Sequence, residues 1–318
     1  MLKYLRNYRI EIEDLEGNIQ TIGYPVDKNL LTVDFQIDRN YLGDVQTASF
    51  TIYDLPARIR YLINKNMNDF LSPNAQLNQP GVTRSFVFYG GYGDSNIPLV
   101  FSGSVNVCNS VREEGSPDWQ TNISCFDPGL FPKYSQSFSF SKSLSRSQAI
   151  DQVASKIGVS VGIKGSLYTN GPGFTRGYGA TASANSVLQK ITGGNATGGN
   201  FYYENKTLNI VNDNEAIESV NGFTTLSNNV GGLLGVPYYE QTYIFANCLF
   251  EPRVQMAQLL NLQAPEALNI PGGQYKVIAY SHAGTMGGAV GGPCKTQIQL
   301  FGLLNSEGWK IIPTGSPI

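Results

Sequence analysis

The chain of 318 residues contains one histidine, His282, and an imidazole is well suited to general-base catalysis or metal binding near neutral pH. A catalytic triad or a metal site built on His282 would need partners whose positions the sequence does not indicate. His282 follows the segment 274–281, whose apolar pattern is typical of a strand. We therefore interpret it as a structural or interface residue, and we predict no catalytic, cofactor-binding or metal-binding residue.

A glycine-rich segment at 284–296 has some features of a phosphate-binding loop. However, Pro293 and Cys294 separate Gly292 from Lys295, whereas a phosphate-binding loop needs glycine immediately before the lysine. The Gly-Gly-Tyr-Gly sequence at 90–93 does not fit a dinucleotide-binding fingerprint either. We expect residues 284–296 to form a flexible hairpin loop, and we expect the protein to use no cofactor.

Glycan cleavage requires two carboxyl groups on opposite sides of a sugar, and four acidic residues are candidates. Two of them, Glu113 and Glu114, lie in a charged turn, which indicates solvated side chains; the others are Asp118 and Asp127. The 18 tyrosines could line a sugar-binding groove, but tyrosine is also common at protein interfaces. We favour the interface, and we expect the protein not to be an enzyme.

The four cysteines are scattered and form no Cys-x-x-Cys pair; they are Cys108, Cys125, Cys248 and Cys294. Structural zinc requires clustered ligands, which this spacing does not provide. Buried free thiols are the favoured interpretation. A Cys108–Cys125 disulfide across a hairpin remains the alternative, which a reducing compartment disfavours.

The overall composition excludes several classes of protein. The net charge is −2, so we expect no broad basic surface and no stable nucleic-acid binding. No window approaches the roughly 20 apolar residues of a membrane span, and the first residues lack the features of an export signal. We therefore expect no membrane span and folding in a cytoplasm. Charged residues are only 14% of the chain, which suits large interfaces between subunits.

The last third of the chain predicts a charge-poor β domain. Residues 216–318 contain nine charged side chains, whereas a soluble domain usually carries about 25%. Strands are predicted at 232–237, 244–252, 274–282 and 295–301, with turn residues between them. A β-rich surface this poor in charge is normally covered in an assembly.

The first third of the chain predicts a small barrel or sandwich. Asp54 is expected to cap a short helix from Leu55 to about Lys65. Alternating polar and apolar residues predict strands at 7–13, 32–38, 48–53, 85–89, 99–107 and 119–125.

The middle of the chain predicts an α/β module. Ser145 and Gln148 form a capping box, apolar residues at helical spacing follow, and Gly158 ends that helix. A strand at 159–163, a second helix near 184–191 and a hairpin turning at Asn205 and Lys206 complete the pattern. Because both helices have narrow apolar stripes, we expect the module to pack locally and residues 141–213 to be removable.

Several short motifs resemble the central hub proteins of phage tail baseplates, from contractile-tailed phages and related injection particles. Near the N-terminus these are Ile-Tyr-Asp-Leu at 52–55, Gly-Tyr-Gly at 91–93, Phe-Ser-Gly-Ser-Val at 101–105 and the run from Asp118 to Asp127. Near the C-terminus they are Gly-Leu-Leu-Gly-Val-Pro at 232–237, the strand ending at Pro252 and the strand closing on His282. The order of these pieces matches the family over most of the chain.

The resemblance implies a mainly β fold with an α/β insert, in which two barrel-like domains of the tail-tube type flank a small α/β module. It places the N-terminal domain at 1–135, the insert at 136–215 and the C-terminal domain at 216–318. It further implies a structural virion protein of the tail baseplate that joins the tail tube to the central spike. The expected assembly is a homotrimeric ring with pseudo-sixfold symmetry. The expected partners are the tail tube protein, the spike protein and other baseplate proteins.

One alternative of a different class is open at this stage. The chain could be a phage-borne cell-wall hydrolase or glycan-binding module. Paired carboxylates in a cleft, or loss of turbidity on peptidoglycan, would favour that alternative.

Overall fold

The computed structural model describes residues 6–14, 16–26, 31–41, 45–64, 84–93, 97–129, 131–169, 173–192, 199–219, 222–264, 269–287, 292–302 and 308–312. Within these residues the fold is mainly β with few helices, as the sequence predicts. The helices are α1 (Ala57–Asn64), α2 (Arg146–Ile157), α3 (Ser166–Thr169) and α4 (Ala184–Thr192). A 3-10 turn spans Phe131–Lys133.

The strands fall into the three parts of the chain. The first part contains β1 (Arg6–Glu13), β2 (Ile19–Gly23), β3 (Val33–Asn40), β4 (Gln46–Tyr53), β5 (Ser85–Tyr92), β6 (Leu99–Arg112) and β7 (Trp119–Asp127). The middle contains β8 (Ser135–Phe140), β9 (Ser160–Lys164), β10 (Tyr178–Ser183), β11 (Gly199–Glu204), β12 (Thr207–Asn212) and β13 (Glu215–Ile217). The last part contains β14 (Thr225–Ser227), β15 (Leu233–Glu240), β16 (Tyr243–Leu249), β17 (Leu259–Gln263), β18 (Gly273–Met286), β19 (Cys294–Phe301) and β20 (Lys310–Ile312).

One 13-stranded sheet runs through both ends of the chain. Its order is β15-β16-β19-β18-β3-β4-β7-β6-β5-β1-β2, with β17 paired to β18 and β14 paired to β17. The junction between the two ends is the antiparallel pair of β3 and β18, in which Met286 lies opposite Val33 and Ala279 lies opposite Asn40. The N-terminal and C-terminal strands are therefore hydrogen-bonded to each other rather than merely adjacent.

The two halves of this sheet repeat one strand topology. The order β3-β4-β7-β6-β5 in the first half corresponds to β15-β16-β19-β18-β17 in the second. Both long strands, β6 and β18, span 14 residues, and each carries an irregularity against its inner neighbour. The irregularity lies between Val105 and Val107 in β6 and between Val277 and Ala279 in β18.

Backbone hydrogen bonds repeat at matching positions as well. Val105 N donates to Arg84 O at 2.9 Å, and Val277 N donates to Gln258 O at 2.9 Å. In the same way, Tyr53 N donates to Thr32 O at 3.0 Å. The corresponding bond from Leu249 N to Gly232 O measures 2.9 Å. The chain therefore contains two structural copies of one five-stranded unit, although their side chains differ.

The apolar interior forms three clusters. The first lies within the N-terminal strands, where phenylalanine rings pack at centroid distances such as 4.6 Å for Phe50 and Phe86. The second lies within the C-terminal strands, and the third holds the helices of the middle module against its strands. Full burial of a phenylalanine or leucine side chain contributes about 1.5–3 kcal/mol, so each cluster adds substantially to stability.

The helices of the middle module form as the sequence predicts. Ser145 Oγ accepts from Gln148 N, and the Gln148 side chain returns to Ser145 N, which satisfies backbone donors at the start of α2. Gly158 adopts a left-handed conformation with φ of 71° and ends the helix. The hairpin of β11 and β12 turns at Asn205 and Lys206, whose φ values are 53° and 62°. The glycines at 193 and 194 lie outside the described residues.

Some predicted details differ in the structure. Asp54 does not cap α1; its carboxylate accepts from Trp119 N at 3.0 Å and thereby ties the end of β4 to the start of β7. His282 lies inside β18 rather than after a strand, because β18 continues to Met286. That extension also shortens the loop predicted at 284–296, since Gly284 pairs with Cys294; residues 288–291 lie outside the described part. Among the described residues, the strands missed by the sequence analysis are β2, β8, β10, β13, β14, β17 and β20.

The four thiols are free and buried in the structure. Cys108 lies opposite Ile123 and Cys125 lies opposite Val105, so the two cysteines are not cross-strand neighbours. The alternative of a Cys108–Cys125 disulfide is therefore wrong. Burial raises the pKa of the Cys108 thiol to about 11, which makes this group unreactive near neutral pH.

The middle module is less self-contained than its helices suggest. Its helices pack locally, but Tyr202 and Val211 of the hairpin belong to the C-terminal cluster. Tyr202 Oη also donates to Met256 O at 3.3 Å. The module therefore supplies part of the core of its neighbour.

We accordingly expect that replacing residues 141–213 with a short Gly/Ser linker will destabilise the chain, contrary to the expectation from the sequence. The loss of buried side chains such as Tyr202 leaves a cavity, and large-to-small changes of this kind typically cost about 2–5 kcal/mol each. Thermal unfolding followed by circular dichroism, with light scattering for aggregation, measures the effect. A soluble deletion variant with an unchanged melting temperature would contradict this expectation.

Candidate functional site: the buried junction and the apolar edge strand

A buried ion pair lies where the three parts of the chain meet. Arg39, near the end of β3, donates through Nη1 to the Asp127 carboxylate at the end of β7, and both side chains are fully buried. Asp127 also accepts from Asn205 N at 2.6 Å and from Lys206 N at 2.7 Å. The turn of the middle module thus supplies two hydrogen bonds to a carboxylate that belongs to the N-terminal strands.

The side chain of Asn205 extends this network. Its Oδ1 accepts from Arg39 Nη2 at 2.8 Å and from Ser102 N at 2.9 Å. The guanidinium also lies over the Phe101 ring, 4.8 Å from its centroid. Burial is the largest single effect and by itself would lower the pKa of Arg39, but the charges of Asp127, Tyr280 and Glu204 and the hydrogen bond to Asp127 together raise that pKa above its ordinary value. Arg39 is therefore a permanent buried cation.

Glu204 connects the same junction to the C-terminal strands. Its carboxylate accepts from Tyr280 Oη at 2.8 Å and from Met256 N at 3.4 Å. Burial raises the pKa of Glu204 above its ordinary value, although the nearby Arg39 partly offsets that effect. Residues from all three parts of the chain thus share one polar network.

A second buried network surrounds Lys276 of β18. Its Nζ donates to Tyr41 Oη at 3.0 Å and to Asn212 O at 2.8 Å. Burial lowers the pKa of Lys276 to about 7, although Asp213 and Glu215 oppose that change. The lysine therefore titrates near neutral pH, yet it is only 1% exposed.

His282 is buried in the core of the C-terminal strands. It is 1% exposed, and its Nδ1 lies 2.8 Å from Thr296 Oγ1. The ring packs between Phe250 and Tyr280, at centroid distances of 5.3 and 4.9 Å. Burial, together with the positive charge of Arg39, lowers the pKa of His282 to about 3, so the imidazole is neutral.

The structure separates Asp127 from the other three candidate carboxylates. Glu113, Glu114 and Asp118 are exposed at the β6–β7 turn, where a shallow surface pocket is lined by residues 112–117. Asp127 lies at the other end of β7, about 30 Å away along an extended strand. Paired carboxyl groups in glycosidases are separated by about 5–10 Å, so Asp127 is too far from the other three candidates to pair with any of them in this way.

Within the described residues, no group of three or more His, Cys, Asp and Glu side chains could hold a metal ion. In the same part of the chain, no helix is long and apolar enough to cross a bilayer. Many tyrosines lie in the core instead of a groove, as Tyr8, Tyr168 and Tyr203 illustrate.

Four exposed large apolar side chains lie together on β15. Leu234, Val236, Tyr238 and Tyr239 are 41–52% exposed, and the strand carries one charged residue, Glu240. β15 lies at one end of the main sheet, so its outer edge has no strand partner among the described residues. Natural proteins usually protect such edges with charge, proline, irregularities or a covering element, and β15 has Pro237 and an irregularity between Leu234 and Tyr238 but only one charge. An exposed apolar edge strand is typical of an assembly surface.

The sequence analysis missed the buried junction, although a signal was present. The inward face of β3 runs Val33, Phe35, Ile37 and then Arg39. The inward face of β7 likewise runs through Ile123 and Cys125 to Asp127. Opposite charges that continue two apolar faces indicate a buried pair, because an unpaired charge at either position would be strongly unfavourable.

A mainly β chain with a buried polar junction and an uncovered apolar edge strand is typical of a structural subunit of an assembly. A family model described as Baseplate hub gp41 matches residues 16–280, which is most of the chain. The chain therefore belongs to the baseplate hub gp41 family and is a protein of the virion tail baseplate. No curated protein matches the chain.

Solved structures of tail proteins share the fold. The tail protein from Neisseria meningitidis MC58 superposes with a TM-score of 0.56 at 12% identity, over 92% of this chain and 96% of that chain. The 43 kDa tail protein of prophage MuSo2 from Shewanella oneidensis gives 0.55 at 12% identity, over 92% and 97%. At these identities the likeness concerns the fold alone.

A protein from a secretion machine has the same architecture. The E. coli c3393 protein is described as a component of the type VI secretion system with structural similarity to the T4 bacteriophage tail proteins gp27 and gp5. It superposes with a TM-score of 0.57 at 6% identity, over 92% of this chain and 80% of that chain. The predicted fold class and the resemblance to baseplate hub proteins are confirmed.

We expect Asp127→Asn to destabilise the protein by about 3–5 kcal/mol, because it leaves the buried Arg39 cation without its counterion. Asp151→Asn is the matched control, since Asp151 pairs with Lys164 at 2.7 Å but is 51% exposed. Breaking that surface pair should cost less than about 1 kcal/mol. Urea unfolding of both variants measures the difference, and equal effects would argue against a structural role for the junction.

The titration of Lys276 predicts a pH dependence of stability. The folded state releases this proton near pH 7, whereas the unfolded state holds it to about pH 10.5. The unfolded state therefore binds more protons between these values, and the free energy of unfolding should rise with pH by at most about 1.4 kcal/mol per unit. Urea unfolding of the wild type and Lys276→Met at pH 7 and 9 isolates this contribution. A constant difference between the two proteins would contradict it.

Proposed function

We propose that this protein is the central hub of the baseplate, a structural subunit that joins the tail tube to the central spike and has no enzymatic activity. In this proposal three copies form a ring, and each contributes two similar β units. Six quasi-equivalent units then match a sixfold tube on one face, while three whole chains match a threefold spike on the other. The parts at 1–135, 136–215 and 216–318 are the proposed domains.

The observation that carries this proposal is the repeat within the main sheet. The strand order β3-β4-β7-β6-β5 recurs as β15-β16-β19-β18-β17, and the irregularities of β6 and β18 recur with it. A ring of chains with two equivalent units presents twice as many similar positions as it has chains. A trimer with two similar units in each chain can therefore bind a sixfold partner directly, without an additional adaptor protein.

The low charge of the chain supports the same proposal. Charged residues are 14% of the whole chain, and the apolar side chains of β15 are left uncovered in the lone copy. A closed ring removes free strand edges and covers such surfaces. The proposed partners are further copies of this chain, the tail tube protein, the spike protein and other baseplate proteins, without stable binding to nucleic acid.

Native mass spectrometry of the full chain, alone and with the tail tube protein, tests the proposal. We expect a trimer, and we expect the trimer to bind the tube protein. Incubation with purified peptidoglycan is the second arm, in which we expect no loss of turbidity. A protein that remains monomeric with and without the tube protein would overturn the hub proposal, and turbidity loss would favour a cell-wall hydrolase.

A further inference from the structure

Two strand edges of the repeated units lack a partner within the described residues. One is the outer edge of β15 in the C-terminal unit. The other belongs to the second half of β6: residues 99–104 pair with β5, but residues 107–112 pair with β7 on one side only. Because an unpaired edge exposes backbone donors and acceptors, both segments can accept a further strand. On β15 the regular part of this edge is Tyr238–Glu240, because an irregularity lies between Leu234 and Tyr238 and Pro237 has no N–H.

A pairing inside the chain shows how edges of these two kinds can be covered. In the repeat, β15 corresponds to β3, and β6 corresponds to β18. Within one chain, β3 already pairs with the second half of β18, from Ala279 to Met286. The two uncovered edges are therefore the same two kinds of edge that the β3–β18 junction brings together.

We propose that β15 of one copy pairs antiparallel with residues 107–112 of β6 in a second copy of this chain, reproducing the β3–β18 junction between subunits. The inference rests on the proposed ring and specifies its subunit contact. Each added copy covers one β15 edge and one β6 edge. Only a closed ring leaves neither edge uncovered, which fits a head-to-tail assembly.

The repeat also gives the register of this contact on the β6 side. Val107 pairs with Ser124 just after the irregularity in β6, as Ala279 pairs with Gln299 just after the irregularity in β18. Val107 therefore corresponds to Ala279. Counting along both strands, Val111 corresponds to Ala283.

The register on the β15 side follows from the strands that pair with β3 and with β15 inside their units. Gln36 pairs with Ser49, which pairs with Ser124. Tyr238 pairs with Phe245, which pairs with Gln299. Tyr238 therefore corresponds to Gln36.

Because Gln36 lies opposite Ala283 within the chain, Tyr238 should lie opposite Val111 of the neighbouring copy. Both side chains are exposed in the lone copy, at 45% and 42%. Direct cross-strand contact between an aromatic and a β-branched side chain is favourable. The exposed apolar side chain on the β15 edge and the one on the β6 edge would thus cover each other.

The adjacent position supports the same register. Tyr239 corresponds to Ile37, which is completely buried beside β18, whereas Tyr239 is 49% exposed. In the proposed contact Tyr239 lies opposite Ser110 of the neighbouring copy. Within the part of the chain that the structure describes, Tyr239 has no neighbouring strand at the position where β18 covers Ile37. A large side chain that is half exposed for this reason is expected at a subunit boundary.

Disulfide trapping tests the contact, because directly opposed residues of antiparallel strands have Cα atoms about 4.5–5.5 Å apart, within disulfide range. Val111→Cys and Tyr238→Cys are made as two single variants, which are then mixed, and also together in one double variant. Both samples are exposed to mild oxidation, alone or after assembly with the tube protein. The four native cysteines are buried and remain in every variant. The mixed single variants should give a covalent dimer, and the double variant should give covalent trimers.

The matched control combines Val107→Cys with Tyr238→Cys. Val107 is also exposed on β6, but it lies four residues from the proposed partner, about 13 Å along the strand. We expect at least tenfold less cross-linking for this pair. Ser110→Cys with Tyr239→Cys is a second in-register pair, which covers the case that one of the first two variants fails to fold.

The outcomes separate this inference from the hub proposal. Native mass spectrometry of the same samples shows whether a ring is present. A ring in which both in-register pairs cross-link no better than the control overturns the strand contact and leaves the hub proposal standing. The absence of any ring with wild-type protein overturns both.

Discussion

The architecture depends on a buried cation and the carboxylate that neutralises it. Removing Arg39 and Asp127 from water costs several kcal/mol per ion, and their attraction offsets this cost only if the remaining polar atoms are also satisfied. The Asp127 carboxylate also accepts from the amides of Asn205 and Lys206, and Asn205 Oδ1 accepts from Arg39 Nη2. Arg39 Nε is the one polar atom of the pair that has no hydrogen-bond partner within the described residues. Since these groups come from different parts of the chain, the pair holds the middle hairpin against the N-terminal strands.

The edges of the main sheet impose the second constraint. A repeated five-stranded unit that is joined once to its copy, through β3 and β18, must leave one equivalent edge open at each end. The β15 edge is apolar and carries little charge, which would be a liability for a lone chain in water. The same property suits the proposed ring, in which neighbouring copies cover these edges.

The chemistry of the interior agrees with a structural role. His282 and Lys276 have strongly lowered pKa values, which in an enzyme would draw attention as candidate acids or bases. Both are buried among strands, and their hydrogen bonds go to neighbouring groups in the core. Their altered pKa values therefore reflect burial in a packed sheet.

The sequence alone determined the local elements of this protein, because their signals are short-range. The capping box at Ser145, the Gly158 helix end, the Asn205–Lys206 turn and the alternating strands such as β3 and β4 follow from residue type and period. Short strands such as β14 and β17 carry too few residues for a clear pattern. The resemblance implied two similar end domains, and the structure shows their common strand order. Only the tertiary structure decided that β3 pairs with β18 and that Arg39 meets Asp127. Strand edges are recognised through backbone groups that every residue except proline carries in full, so partners distant in the chain leave little trace in the sequence.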